Sequence, residues 1–285
     1  MDRPLSLAAL TVIELTPPEV VKCAALAGYS HVGLRLLPVT PREPSFEILG
    51  DTPMRRELQR VLADTGVKVL DVEFIRLDAT IVLSTLLPLL ETAALLGARN
   101  VLLAGFDADE ARFVDRFAQL CDLAAPYSLN VNLEFYPWAE VNSLSKAHRA
   151  VVASGRANAG ILVDSLHFDR TRATFAELDA VPEALLRYVQ LCDAPATRPA
   201  TTDALIHQAR AERLYPGEGG LDLLGLLQHL PRELSIGIEA PTRERALTVA
   251  PVERARRARA ATLQLLSQLE SADRARKEPN TAVTQ

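Results

Sequence analysis

Four apolar runs in this chain each end on a side chain that carries oxygen. They are Val131-Asn132-Leu133-Glu134, Ile161-Leu162-Val163-Asp164, Tyr188-Val189-Gln190 and Leu234-Ser235-Ile236-Gly237-Ile238-Glu239. Each reads as a short β-strand, rich in β-branched and other apolar residues. One polar strand end is ordinary, because strand ends meet solvent, but four suggest a shared centre. If the strands lie parallel, those ends fall on one face, and three carboxylates gathered there need a cation to be tolerated. Glu134, Asp164, Gln190 and Glu239 form an all-oxygen donor set. Such a set suits Mg2+ or Mn2+ better than Zn2+, which prefers nitrogen and sulfur.

The elements that must position these residues repeat one grammar. Leu5 to Leu15 is apolar and β-like, and Pro17-Pro18-Glu19 opens a helical pattern that stops at Gly28. His31 to Leu36 reads as a strand, followed by a proline-bearing loop and a helix from Pro53 to Thr65 with Gly66 as its stop. Strands over Val67 to Phe74 and Asn100 to Ala104 are separated by a helix over Ala79 to Leu96, and a helix over Asp109 to Ala125 follows. The runs to Glu134 and Asp164 flank a helix over Leu144 to Ser154, and a short helical signal over Thr174 to Ala180 precedes the strand Leu185 to Leu191. Asp193 to Gly220 reads as irregular and polar. Leu221 to Leu230 is then helical, Leu234 to Glu239 is the last strand, and Pro251 to Leu269 is a long helix.

Eight strands alternating with eight helical segments predict parallel β/α units. A closed (β/α)8 TIM barrel, α/β in class and a single domain over residues 1–270, is the economical arrangement. An open doubly wound sheet would carry a glycine-rich phosphate loop after an early strand, and none follows Leu15. Residues 271–285 turn polar and charged and read as a disordered tail.

Composition removes several classes of function. The chain is 48% apolar with a formal net charge of -5, which offers no general attraction to nucleic acid or to an anionic membrane. Cys23, Cys121 and Cys192 are odd in number, far apart and without a CxxC pair. That argues against a disulfide framework or a structural zinc site and fits a reducing compartment. Neither a signal peptide nor about 18 consecutive apolar residues is visible, so the expected location is cytoplasmic. The basic segment with Arg254, Arg256, Arg257 and Arg259 precedes Leu263, Leu265, Leu266 and Leu269 and reads as a barrel helix with a solvated outer face.

The strand-end residues resemble the xylose isomerase-like TIM barrels, the sugar phosphate isomerase/epimerase family, over nearly the full length from Leu5 to Leu269. The resemblance implies Glu on the fifth strand, Asp-x-x-His at the sixth, His or Gln on the seventh and Glu on the eighth. Here these fall on Glu134, on Asp164 with His167, on Gln190 and on Glu239. Many ketose epimerases of the family carry His at the seventh-strand position. Gln190 instead resembles hydroxypyruvate isomerases and bacterial 3-dehydroshikimate dehydratases.

The likeness to the dehydratases extends to Leu162 through His167, Val189 through Pro195 and Arg213-Leu214-Tyr215-Pro216-Gly217-Glu218-Gly219-Gly220-Leu221-Asp222-Leu223. Phe135 through Asn142 shares Trp138 and Asn142 with that pattern but lacks its Arg-His pair. The resemblance therefore implies a divalent metal ion and a small polyhydroxylated keto substrate. It leaves isomerase, epimerase and dehydratase (lyase) chemistry as alternatives.

The remaining polar residues fit such a substrate. Arg76 and Arg213 could bind a carboxylate or phosphate through paired donors, and Trp138 could wall the pocket. His167, just past a metal ligand, could hydrogen-bond a substrate oxygen or shuttle a proton. Glu134 and Glu239 are the expected catalytic carboxylates, taking the proton next to a metal-polarised carbonyl. Proton return to the neighbouring carbon gives an isomer, return to the other face an epimer, and loss of a β-hydroxyl a dehydrated product. Two rivals from other classes are a DNA-repair nuclease, which would want a histidine-richer, zinc-binding site, and a non-catalytic binding barrel. Relatives of this fold pair or form tetramers, so a homo-oligomer is among the expected partners, together with the substrate and without nucleic acid or membrane.

Overall fold

The computed structural model describes residues 3–40 and 43–277. Strands β1 (Leu5–Leu7), β2 (His31–Arg35), β3 (Lys68–Leu77), β4 (Asn100–Gly105), β5 (Asn130–Glu134), β6 (Ala159–Asp164), β7 (Leu186–Leu191) and β8 (Ser235–Ile238) close into a parallel barrel in chain order. β8 pairs back onto β1 through Leu5↔Ile236 and Leu7↔Ile238. The expected TIM barrel is the fold.

Helices α1 (Pro17–Ala27), α2 (Pro53–Thr65), α3 (Leu87–Leu95), α4 (Glu110–Ala124) and α5 (Leu144–Ser154) follow the first five strands. Later connections carry α6 (Ser165–Arg170), α7 (Phe175–Asp179), α8 (Thr202–Ala211), α9 (Leu223–Gln228), α10 (Arg243–Ala246) and α11 (Pro251–Lys277). The helix ends follow local chemistry. Thr16 and Glu19 form a capping box at α1, and Gly28 and Gly66 take left-handed φ values of 83° and 71° at the ends of α1 and α2.

Most buried apolar side chains lie in one cluster that joins the strands to the surrounding helices. A smaller cluster with Leu70, Phe74, Leu102, Leu162 and Tyr188 links β3, β4, β6 and β7 across the barrel, with Tyr136 above them. Register places the four oxygen-bearing strand ends together: Asp164 pairs with Gln190, Leu191 pairs with Ile238, and the Glu239 N–H donates to the Leu191 carbonyl at 3.0 Å.

Several local expectations are corrected. The first strand stops at Leu7 and gives way to a 3-10 turn over Ala9–Val12, so it does not extend to Leu15. α8 lies in the stretch read as irregular, and α6, a helix not expected from the sequence, starts directly after Asp164. α11 continues through Lys277, past the expected start of a tail at Ser271, while 278–285 lie outside the described residues. Arg254 is not on a solvated face: it is buried, ion-paired with Glu14 and bonded to the Val249 carbonyl. None of the described helices is long and apolar enough to cross a membrane.

Gly105 at the end of β4 marks where the segment after β5 folds back. Its carbonyl accepts the N–H groups of Glu140 and Val141 at 3.0 and 3.2 Å. A Cβ there would stand 2.5 Å from Val141 Cγ2 and 2.7 Å from Phe113. Gly105→Ala is expected to cost about 1–3 kcal/mol through overpacking, measured by urea denaturation, and to disturb the segment that carries Tyr136 and Trp138.

Candidate active site

The C-terminal ends of the barrel strands open into a cleft of about 500 Å3, including space open to solvent. Glu134, His167, Arg213, Glu239, Tyr136 and Trp138 line it. Parallel strands of a closed barrel deliver their last side chains to one rim, which is why residues more than a hundred positions apart meet here.

Asp164 is fully buried at the start of α6. Its Oδ1 accepts the His167 N–H at 3.0 Å as the helix N-cap, and its Oδ2 accepts from Arg213 Nη1 at 2.6 Å. Burial is the largest single influence and opposes its ionisation, but the charge and hydrogen bond of Arg213 and the contribution of His167 together outweigh it and hold the carboxyl below its usual range. Arg213 Nη2 reaches Glu239 Oε2 at 3.0 Å, and Nε donates to the Ala209 carbonyl at 2.7 Å in the last turn of α8. Even so, burial pushes Glu239 up to about 8, with Arg213 offsetting part of the shift and the carboxylates of Glu73 and Asp164 adding to it. Glu134 is raised well above its ordinary value by burial first and then by Asp164 and Glu239. Its nearest cationic candidate is His167, with Nε2 at 3.9 Å from Oε1.

The His167 ring is packed against Tyr136 and Trp138, at centroid distances of 5.1 and 5.3 Å. Burial lowers its pKa to about 4, so the ring is neutral at pH 7, and Nδ1 has no partner among the described residues. A neutral imidazole with a free nitrogen can donate or accept a hydrogen bond from a guest.

The loop that carries Arg213 is held by one carboxylate. Asp193 accepts the N–H groups of Ala194, Gly217, Gly219 and Leu221 at 2.8–3.0 Å. Gly219 is required there because a Cβ would stand 2.3 Å from the Ala194 carbonyl oxygen. Cys192 packs beneath, with Sγ 3.5 Å from Arg213 Nη1 and 3.8 Å from Ser165 Oγ.

The sequence-predicted residues thus divide. Glu134, Glu239, His167 and Trp138 line the cleft, while Asp164 is joined to it through Arg213 and Gln190 stands opposite Asp164 on β7. Arg213 joins them but spends its guanidinium on Asp164 and Glu239. Arg76 does not join the cleft lining: it is exposed, stacks on Phe106 with Cζ 3.4 Å from the ring centroid, and pairs with Asp78 at 3.5 Å.

A second polar group was missed in the sequence. Arg35 pairs with Glu73 at 2.9 Å and with Glu43 at 3.0 Å. Gln190 Nε2 donates to Glu73 at 3.3 Å, and Tyr188 OH makes a long 3.4 Å contact to Asp71. Burial and the Glu73 charge raise Asp71 well above the usual carboxylate range. The available signal was Asp71 and Glu73 at positions i and i+2 of a strand, which share a face.

The donors fit an oxygen-preferring dication in number and charge. Gln190 spends its amide nitrogen on Glu73 and leaves Oε1 buried with no partner among the described residues. Three carboxylates face a single guanidinium, so two negative charges are uncompensated when all are ionised. Among the described residues, no three His, Cys, Asp or Glu side chains already converge as a metal cage, since Arg213 draws Asp164 and Glu239 to itself.

Residues 21–265 match the family described as xylose isomerase-like TIM barrel. The chain belongs to that family. An inosose isomerase of Bacillus licheniformis is 27% identical over 146 residues, 47% of this chain and 50% of that protein. A 3-dehydroshikimate dehydratase of Pseudomonas aeruginosa is 28% identical over 228 residues, 74% of this chain and 33% of that protein. The chain therefore spans about half or less of the length of these relatives. In fold, it is similar to the IOLI protein solved with a binding zinc atom, with a TM-score of 0.77 and 21% identity over 93% of this chain and 99% of that one. A fusion of a xylose isomerase-like TIM barrel with 4-hydroxyphenylpyruvate dioxygenase gives the same TM-score at 19% identity, over 99% of this chain and 46% of the fusion.

Because the folded-state pKa of His167 lies near 4 against an ordinary 6.5, the unfolded chain binds the extra proton between those values. Stability is present above pH 6.5 and is lost as pH falls toward 4, by on the order of 3 kcal/mol. Denaturation of wild type and His167→Asn across this window should show the slope in wild type and a shallower one in the variant.

Proposed function

We propose that the chain is a divalent-metal-dependent enzyme that removes the proton next to the carbonyl of a polyhydroxylated keto compound, as an isomerase or epimerase. The observation that carries this reading is the meeting of Glu134, Asp164 and Glu239 at one rim beside the unpartnered amide oxygen of Gln190. These four residues would hold the ion, with Mn2+ or Mg2+ matching their oxygen donors. The zinc in the IOLI protein supports a dication of some kind. When bound, the ion supplies Lewis-acid stabilisation of negative charge developing on the carbonyl oxygen.

The chain's own residues supply the rest. Glu134 and Glu239, on β5 and just past β8, take and return the proton. Neutral His167 hydrogen-bonds a substrate oxygen, presented by the short helix that Asp164 caps. Tyr136 and Trp138 wall the cleft and exclude water. Arg213 positions the carboxylates of Asp164 and Glu239.

A dehydratase reading stands second, favoured by Gln190 and by the Pseudomonas aeruginosa relative that spans 74% of this chain. Both readings share the same first step and diverge where the electrons of the enolate go.

Metal-loaded protein incubated in deuterium oxide with inososes, ketoses, hydroxypyruvate and 3-dehydroshikimate should exchange a C–H for deuterium in one of them. An ultraviolet-absorbing product would assign the dehydratase, and exchange that survives both Glu134→Gln and Glu239→Gln would sink the proposal.

The raised carboxyls make a second expectation. Glu239 sits near 8, so at pH 7 a dication must displace its proton. Calorimetric titration with Mn2+ in buffers of different ionisation enthalpy should show net proton release at pH 7 that shrinks by pH 9, and a pH-independent result would count against these ligands.

A further inference from the structure

A second cavity, about 990 Å3 including space open to solvent, shares no lining residue with the catalytic cleft. It is bounded by α6, the turn after it, the loop between β7 and α8, and the start of α9. Its wall is aromatic and aliphatic: Phe168 stacks on Phe175 at 5.6 Å and 17°, and Leu221, Leu223 and Leu226 are buried beside them. Its charged lining holds two acids, each with a partner, and two arginines without one among the described residues. Asp169 is paired with Arg170, and Asp222 Oδ1 accepts the Gly225 N–H as the cap of α9. Arg172 and Arg198 make no ion pair or side-chain hydrogen bond with any described residue.

Arg172 also occupies an unusual position. At the end of α6 the Arg172 N–H donates to the Asp169 carbonyl and the Ala173 N–H to that of Phe168, the paired bonds of a Schellman turn. The left-handed residue of that turn is usually glycine, as at the ends of α1, α2 and α5, where Gly28, Gly66 and Gly155 stand. Here it is an arginine with φ 59°. A guanidinium kept where glycine would fold more easily, beside a second unpaired guanidinium and a stacked aromatic wall, fits a planar apolar body that carries one anionic group.

We propose that this cavity binds a small aromatic carboxylate, its ring against Phe168, Phe175 and the leucines and its carboxylate taken by Arg172 and Arg198. Bidentate guanidinium pairing suits a carboxylate, and a flat ring suits the stacked phenylalanines. Its water-accessible interior, about 480 Å3, falls within the size range of small-molecule sites. A guest there rests on the helix that carries His167.

The test is a calorimetric or ligand-observed NMR titration of the full chain with benzoate. Wild type should bind it saturably. Arg172→Gly should keep or raise the melting temperature, since glycine suits the turn, while weakening benzoate at least about tenfold, the effect of losing a charge-assisted hydrogen bond. Arg198→Ala should do the same, and Glu134→Gln should leave benzoate binding unchanged. Absence of saturable binding would overturn the proposal. So would binding indifferent to both arginines, binding abolished by Glu134→Gln, or inorganic phosphate binding as tightly as benzoate. A change of oligomeric state in Arg172→Gly with benzoate binding intact would assign the cavity to a second copy of the chain and also overturn it.

Discussion

The pairing of Arg213 with Asp164 and Glu239 governs the rim of this barrel. Carboxylates held out of water repel one another and lose their hydration, so each must find positive charge or a proton. One guanidinium satisfies Asp164 well, at 2.6 Å, and Glu239 only in part. Glu134, with a neutral imidazole for its neighbour, receives least. The result is a graded set in which Asp164 stays ionised while Glu134 and Glu239 hold protons more firmly than an exposed carboxyl would. Such a set can accept a cation and can trade protons, which are the two properties that the proposed chemistry needs. Removing one partner of a buried pair of this kind typically costs about 3–5 kcal/mol, so the arrangement is also structural.

Much of the surrounding architecture keeps that guanidinium in place. α8 lends the Ala209 carbonyl to Arg213 Nε, and Asp193 gathers the N–H groups of the following loop. On the opposite side, Arg35 neutralises Glu73, and Glu73 in turn orients Gln190 by taking its amide nitrogen. The rim therefore contains two arginine–carboxylate groups, and Gln190 lies between them with its oxygen uncommitted. Asp164 serves twice, as ion-pair partner and as the cap that starts α6 and sets His167 within reach of Glu134.

The strand ends were legible because a parallel barrel turns sequence position into place: whatever closes a strand arrives at the rim. The Asp164-x-x-His167 spacing was legible too, although its physical meaning, an N-cap and the third residue of a helix, emerges only once α6 is seen. Arg213 could be picked out, but its partner could not, since nothing along the chain says whether a guanidinium meets a guest or a neighbouring carboxylate. Arg76 failed for the same reason, its side chain turning to Phe106 and Asp78. α8 escaped notice because few of its residues are buried, Leu205, Gln208 and Ala209 among them, and one of these is polar. Asp71 and Glu73 were passed over as interior members of β3, where alternation should have drawn attention to them.

All three thiols are buried, and burial raises Cys23 to about 11 and Cys121 and Cys192 to about 12. Little thiolate exists at neutral pH, and what exists is shielded. An alkylating reagent can modify Cys192 only when Arg213 and its loop have swung aside, whereas Cys23 and Cys121 wait for α1 or α4 to lift from the barrel wall. The cysteines therefore form a built-in clock that separates breathing of the rim from loosening of the scaffold.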